Sequence, residues 1–236
     1  MSVCPSCDAG PGRPFGNKEG FSLYTCETCD LTYVDPMPST AELAEFYREY
    51  YKTRQYRQKL DSKVRRARRR IRRIKRGVGG SRFIDVGCNV GFAVEAARQC
   101  GFQARGIDID AVAIGEARTL FPDCQFEHSS VEALASSGRQ YDVVYCSEVI
   151  EHLPNVAVFL QAIRKLVTED GLVFITTPDL GHRSVRRDPY AGDFIRPPEH
   201  LLYFTRKSIE RVMRRQGFTR VRFQRSLKPT LKVLAR

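Results

Sequence analysis

The strongest constraint on the fold is an alternation that begins at residue 81. "RFIDVG" reads as a buried strand, "FAVEAARQC" as a helix, "QARGIDI" as a strand and "AVAIGEARTL" as a helix. The pattern continues through "DCQFEHS", "VEALAS", "YDVVYCS", "VAVFLQAIRKLV" and "GLVFITT". Strands alternating with helices predict an α/β fold, a mainly parallel sheet with helices on both faces. Ligands of such sheets bind beyond the carboxyl ends of the strands, where the strand order reverses. The polar residues at those ends are the functional candidates.

The first end is "DVGCNVG", residues 85–91. Gly87 and Gly91 allow close backbone approach, and the helix start is expected to offer N–H groups to a ligand. The glycine spacing is not that of the dinucleotide fingerprint. Asp108 closes the second strand, where a carboxylate can accept from both hydroxyls of a ribose. Ser130 and Val131 follow the third strand, in position to flank an adenine. "YCSEVIEHLP" follows the fourth and brings Cys146, Ser147, Glu148 and His152 to the rim.

The N-terminal region obeys a different rule. "CPSC" (Cys4, Cys7) and "CETC" (Cys26, Cys29) are separated by eighteen residues rich in Gly and Pro. Two residues between thiolates let a tight turn aim both sulfurs at one ion, and four thiolates close a tetrahedral zinc shell. The segment is too short to bury a core, so a metal would supply folding energy. A disulfide or a redox pair fits the doubled motif less well. "FSLYTC" and "LTYV" read as the strands around the second pair. Cys88, Cys100, Cys124 and Cys146 sit in apolar surroundings and read as reduced, buried side chains.

Between these regions lies "KTRQYRQKLDSKVRRARRRIRRIKRG". Leu60, Val64, Ala67, Ile71, Ile74 and Val78 recur at three- and four-residue spacing, one face of a helix. Nearly all else is Arg or Lys, and the whole chain carries a formal charge of +12. The reading adopted is a linker helix docked by its apolar stripe with a solvated basic face. A polyanion-binding helix is the alternative. Ser39 or Thr40 with Glu42 is placed to cap a preceding helix, and "GVGG" (77–80) ends the basic one. The expected organisation is a zinc ribbon over 1–38, a helical linker over 39–80 and an α/β domain over 81–236. No apolar run is long enough to span a membrane. "MSVCPSCDAG" has no secretory pattern, so the expected compartment is the cytoplasm.

The order of these elements resembles the class I S-adenosylmethionine-dependent methyltransferases. "DVGCNVG", "GIDID" (106–110), "YDVVYCSEVIEHLP" (141–154), "GLVFITTPD" (171–179) and "PPEHLLYFTRKSIERVMRRQGF" (197–218) carry the resemblance, which covers residues 81–236. "EVIEHLP" and "PPEHLLYFT" are similar to a branch of ubiquinone-biosynthesis-type O-methyltransferases. A subgroup of it bears an N-terminal zinc ribbon and a "DPMPS…FY" segment, both found here. The resemblance implies a Rossmann-like seven-stranded sheet whose last two strands are "FTRVRF" and "LKVLAR", one of them antiparallel. It implies that Asp85, Gly87 and Gly91 cradle the methionine end of S-adenosylmethionine. Asp108 would hold the ribose, Ile109 would pack on adenine, Ser130 and Val131 would border the base, and the Cys146 carbonyl would meet the amine. Asn89 stands where the family has glycine. Asn tolerates a left-handed backbone better than other non-glycine residues, so the turn survives.

Methyl transfer to oxygen asks the protein for alignment and proton removal. A histidine suits the second task. His200 is the first candidate base and His152 the second; His182 and His128 lie near other strand ends. Tyr190, Tyr203 and Arg196 are candidate substrate-lining residues, and residues 178–199 form a long polar cover. The expected function is methylation of a small molecule, at oxygen, on a sugar, quinone-like or natural-product acceptor. The alternative is an RNA methyltransferase that grips RNA with the ribbon and the arginine helix.

Overall fold

A computed structural model describes residues 3–39, 41–43, 45–46, 59–191 and 193–236. Thr40, residues 47–58 of the expected linker, and with them part of the "DPMPS…FY" segment, lie outside the described residues. The N-terminal strands are β1 (Arg13–Lys18), β2 (Phe21–Thr25) and β3 (Thr32–Val34), followed by helix α1 (Leu60–Lys75). The α/β repeat then runs β4 (Arg82–Val86), α2 (Phe92–Gln99), β5 (Gln103–Asp108), α3 (Ala111–Leu120), β6 (Gln125–His128), α4 (Val131–Ser136) and β7 (Tyr141–Ser147). A 3-10 turn at Ile150–His152 leads to α5 (Val156–Leu166), β8 (Val167–Pro178), β9 (Leu202–Tyr203), α6 (Arg206–Arg215), β10 (Val221–Phe223) and β11 (Thr230–Ala235).

Seven strands form one sheet in the order β10-β11-β8-β7-β4-β5-β6. β4 pairs in parallel with both β5 and β7, and β5 with β6. After β4 the chain builds outward through β5 and β6, then returns to place β7 on the other side. The order therefore reverses at β4, which puts the loop after β4 where such sheets bind ligands. β4 is hydrophobic on both faces, with Phe83, Ile84 and Val86 buried, because helices cover both faces of a parallel sheet. Each α/β element expected from the sequence is present. β8 differs, starting at Val167 rather than at Gly171.

The chain divides into two units. One holds Gln55–Ser147, Gln161–Phe174 and Ala235–Arg236; the other holds Met1–Arg54, Glu148–Leu160 and Ile175–Leu234. In the second unit β1, β2 and β3 form an antiparallel sheet, and β9 is its fourth strand through Thr32↔Tyr203 and Tyr33↔Leu202. The strands next to the cysteine turns are thus joined by hydrogen bonds to a segment about 170 residues later in the sequence. β1 was not expected, since "RPFGNK" carries Pro and Gly. Its ladder shifts register between Pro14 and Gly16, a bulge that accommodates both. The 178–199 cover is not all solvated: Leu180, Val185 and Ile195 join Leu23, Val34 and Tyr203 in one apolar cluster.

Helix α1 buries Ala67, Ile71 and Ile74, the centre of the expected stripe. Val78 lies beyond the helix end. Ser39 and Glu42 form reciprocal bonds, Ser39 N to Glu42 Oε2 at 2.8 Å and Glu42 N to Ser39 Oγ at 3.2 Å, the expected capping pair. No helix among the described residues is long and apolar enough to cross a membrane.

Candidate functional site

The glycine turn after β4 has left-handed backbone at Gly87 (φ 75°), Asn89 (φ 51°) and Gly91 (φ 81°). Gly91 is required: a Cβ there would lie 2.5 Å from Phe126 Cε1. Asn89 fits by capping its own turn, since Val90 N donates to its Oδ1 at 2.9 Å. The turn's amides are all engaged. Gly87 N and Cys88 N donate to Ile107 O, each at 2.9 Å, and Gly91 N to Cys88 O at 2.9 Å. Asn89 N donates to Asp108 Oδ2 at 2.7 Å. Within residues 87–91 no N–H is left over for a ligand; the N–H groups expected at the helix start belong to Phe92 onward, outside this set. A phosphate cradle works by presenting such N–H groups.

The charges point the same way. Asp85 is 3% exposed, and burial, with Asp108 nearby, raises its carboxyl well above the usual range. Two carboxylates beside a turn with no spare N–H disfavour phosphate and suit a cationic group. Asp108 also accepts from Asp110 N at 2.9 Å through Oδ1. Each of its oxygens thus takes one backbone bond at the strand end, the position from which a carboxylate can also accept from ribose hydroxyls. Ile109 and Val112 beyond it are 69% and 66% exposed, an apolar surface at the strand end. Ser130 caps α4 by accepting from Ala133 N, Val131 is buried beneath it, and Cys146 is fully buried. Arg70 was grouped with the solvated face of the basic helix. Instead it donates to Tyr145 Oη at 2.7 Å and Ser147 Oγ at 3.4 Å, and lies over Phe174.

The second unit carries a polar pocket of about 380 Å³, lined in part by Glu148, Glu151, His152, Arg196, Glu199 and His200. Glu148 holds a left-handed φ of 57° and accepts from Thr176 Oγ1 at 2.7 Å. A strained non-glycine residue at a pocket rim is a functional signal. Glu151 is 1% exposed; its Oε2 accepts from Thr177 Oγ1 at 3.0 Å, while buried Oε1 has no hydrogen-bond partner among the described residues. Burial, then the Glu148 charge, pushes its carboxyl up to about 8. His152 Nδ1 lies 2.6 Å from Glu199 O, so Nδ1 carries the proton and the ring's lone pair is on Nε2, 3.9 Å from Glu151 Oε1. His200 packs edge-on against His152, with ring centroids 5.0 Å apart. Its Nε2 faces Arg196 Nη2 at 3.3 Å, and its buried Nδ1 makes no hydrogen bond among the described residues. Burial, then His152 and Arg196, lowers its pKa to about 3.

The structure therefore brings His152 and His200 together and adds Glu151, which no motif rule singled out. Its one signal is an acid between Ile150 and His152, three residues before Pro154. Tyr203 donates to His200 O at 2.8 Å and braces the site from β9. His182 bonds Ser184, and His128 bonds Ile109 O, both local supports.

The four N-terminal cysteines converge, with all four sulfurs within 4.8 Å of one another. Cys4–Cys29 and Cys7–Cys26 are each 3.6 Å apart. That exceeds a disulfide bond and matches the edge of a tetrahedron with Zn–S bonds of about 2.3 Å. Both pairs use the same knuckle: Asp8 N donates to Cys4 O and Asp30 N to Cys26 O, and Asp8 and Asp30 both have left-handed φ. The donor set fits zinc.

A seven-stranded sheet reversing at its first parallel strand, with an acidic glycine turn and a carboxylate at the next strand end, defines a class I S-adenosylmethionine-dependent methyltransferase. Residues 47–222 match the family described as "Methyltransferase domain", and the chain belongs to it. A "Ubiquinone biosynthesis O-methyltransferase" of Aromatoleum aromaticum is 36% identical over 106 residues, 43% of this chain and 45% of that relative. The match thus spans under half the length of the curated relative. The crystal structure of the PH0226 protein from Pyrococcus horikoshii superposes with a TM-score of 0.65 at 15% identity, over 79% of this chain and 97% of that one. A Burkholderia thailandensis 1,6-didemethyltoxoflavin-N1-methyltransferase, solved with 1,6-didemethyltoxoflavin and S-adenosylhomocysteine, gives 0.63 at 16%, over 95% and 99%. At such identities the shared property is the fold.

Proposed function

We propose that the protein transfers the methyl group of S-adenosylmethionine to an oxygen of a small acceptor held in the Glu148–His200 pocket. The observation that carries this reading is the buried, unpartnered Glu151 Oε1 facing His152 Nε2 across 3.9 Å. That gap is too long for a hydrogen bond and suits a hydroxyl between the two. Bound S-adenosylmethionine supplies an electrophilic methyl on a sulfonium. Asp85 lies by the turn that receives its cationic end, Asp108 takes the ribose hydroxyls, Ile109 covers the adenine, and Ser130, Val131 and the Cys146 carbonyl complete the site. Gly87, Asn89 and Gly91 shape the turn. His152 Nε2 accepts the acceptor's proton as the oxygen attacks.

This reading ranks His152 above His200. A base with a pKa near 3 stands about 4 units below neutrality, a handicap of roughly 5 kcal/mol in proton affinity. His200 instead packs against His152 and orders Arg196. The names of the relatives favour oxygen as the nucleophile. A sugar, quinone-like or natural-product hydroxyl fits a polar pocket of this size. Cys4, Cys7, Cys26 and Cys29 hold a structural zinc. The test is a methyl-acceptor screen with labelled cofactor. On the acceptor found, His152→Ala should lower turnover about 10²–10⁴-fold with S-adenosylhomocysteine affinity unchanged. A His152→Ala enzyme with near-normal turnover would sink the assignment.

A second reading of the same pocket rests on one observation. Single ligand atoms of Glu151, His152 and His200 lie within 4.8 Å of one another, a set able to hold a divalent cation. Glu199 O would then orient His152 as a second carbonyl partner does in metal sites. Metal analysis of Glu151→Gln decides: loss of one equivalent beyond the zinc favours it, and unchanged content excludes it.

A further inference from the structure

Helix α1 presents two faces with different fates. Ala67, Ile71 and Ile74 are buried, while Arg65, Arg66, Arg69, Arg72, Arg73 and Arg76 are exposed. The six recur at steps of one, three, three, one and three residues, which is a single stripe along the opposite side. It spans twelve residues, eleven helical rises or about 16 Å. Among the described residues none of the six makes a hydrogen bond or ion pair, whereas their neighbours Arg68, Arg70 and Lys75 bond Gln99, Tyr145 and Gly101. The helix carries a single acid, Asp61, in its first turn. Like charges held side by side repel and weaken the helix, so a stripe of this density is costly with no anion beside it.

We infer that this stripe is a docking surface for the phosphate backbone of single-stranded RNA, separate from the methyl-acceptor pocket and independent of which acceptor that pocket takes. Three features favour RNA over an anionic membrane. Ala67, Ile71 and Ile74 are turned into the protein and Leu60 and Val64 are half-buried, so little apolar surface is left to insert among acyl chains, and charge alone gives weak membrane anchoring. The stripe is all arginine, whose planar fork bonds phosphate oxygens in pairs. The stripe is also straight, and a flexible single strand can follow it where a curved duplex backbone turns away. No base-reading group accompanies it, so binding is sequence-independent.

The experiment measures binding of a fluorescent oligouridylate to the full chain as salt rises. With four of the six arginines engaged, the log–log slope is about −2.8, a loss of roughly 20-fold between about 0.05 and 0.15 M salt. Arg65→Gln/Arg69→Gln/Arg72→Gln should reduce the slope by about 2, and the matching lysine triple should retain most of the affinity. Arg183→Gln/Arg186→Gln/Arg187→Gln removes the same charge from another exposed segment and should leave binding near wild type. The inference is overturned by absence of salt-dependent binding or by equal losses in the two glutamine triples. It is also overturned by stripe-dependent binding to phosphatidylglycerol vesicles that exceeds binding to RNA.

Discussion

Gly91 and Asn89 are two left-handed residues in one turn, and they should respond oppositely to substitution. Gly91→Ala places a Cβ 2.5 Å from Phe126 Cε1 on a backbone of φ 81°. Forcing a non-glycine residue into that region costs about 1–2 kcal/mol. Overpacking against an aromatic ring adds about 1–3 kcal/mol. Together these give about 2–5 kcal/mol, or roughly 4–20 °C in melting temperature for a chain of this size. Asn89→Gly relieves the milder strain at φ 51° but gives up the Val90 N–H bond to Oδ1 and adds chain entropy to the unfolded state. Its net change should stay within about 1 kcal/mol, with S-adenosylhomocysteine affinity within about fivefold of wild type. Thermal unfolding and calorimetric titration of both variants read these values. A Gly91→Ala protein as stable as wild type, or a tenfold affinity loss in Asn89→Gly, would refute the account of the turn.

Three further outcomes are expected. Burial raises the Asp85 carboxyl well above its usual range, so above about pH 4, where the unfolded chain releases this proton, the folded form binds more protons and stability falls as pH rises. Asp85→Asn should remove that fall, and urea unfolding between pH 4 and 7 should show the variant gaining on wild type as pH rises. Cys26→Ser/Cys29→Ser should lose one equivalent of zinc by metal analysis and melt well below wild type, because β3 follows that knuckle directly and pairs with β9. Equal metal content would exclude the ribbon. Arg70→Leu removes bonds to Tyr145 and Ser147 and should destabilise the fold by about 1–3 kcal/mol in chemical denaturation; an unchanged midpoint would mean those bonds carry no weight.

The α/β repeat was legible because periodicity reports burial directly: β4 buries Phe83, Ile84 and Val86, and α2 buries Ala93, Val94, Ala96 and Ala97. The cysteine cluster was legible because the spacing of the pairs is itself the coordination chemistry. What escaped were features made by non-local contact. β9 is two residues long and exists only because β3 supplies its partner, so nothing in "LLYFT" announces it. Arg70 reads like its neighbours in a run of arginines, and only its position on the helix turns it toward Tyr145. Glu151 belongs to a turn whose burial depends on segment 196–201, through Leu201 N donating to Glu151 O at 2.8 Å. The engagement of the Gly87, Cys88 and Asn89 N–H groups was hidden for the same reason. The partners that engage them, Ile107 O and Asp108, come from the neighbouring strand.

The central claim is that the turn after β4 and the carboxylate after β5 form an S-adenosylmethionine site. Calorimetric titration of the zinc-loaded protein with S-adenosylhomocysteine tests it most directly, with Asp108→Asn as the paired variant, which loses the charge and one of the two backbone bonds that the carboxylate accepts, and a melting curve to show that the variant is folded. The account predicts one site per chain and at least a tenfold loss of affinity in Asp108→Asn. No binding to the folded protein, or equal binding by the variant, would contradict it.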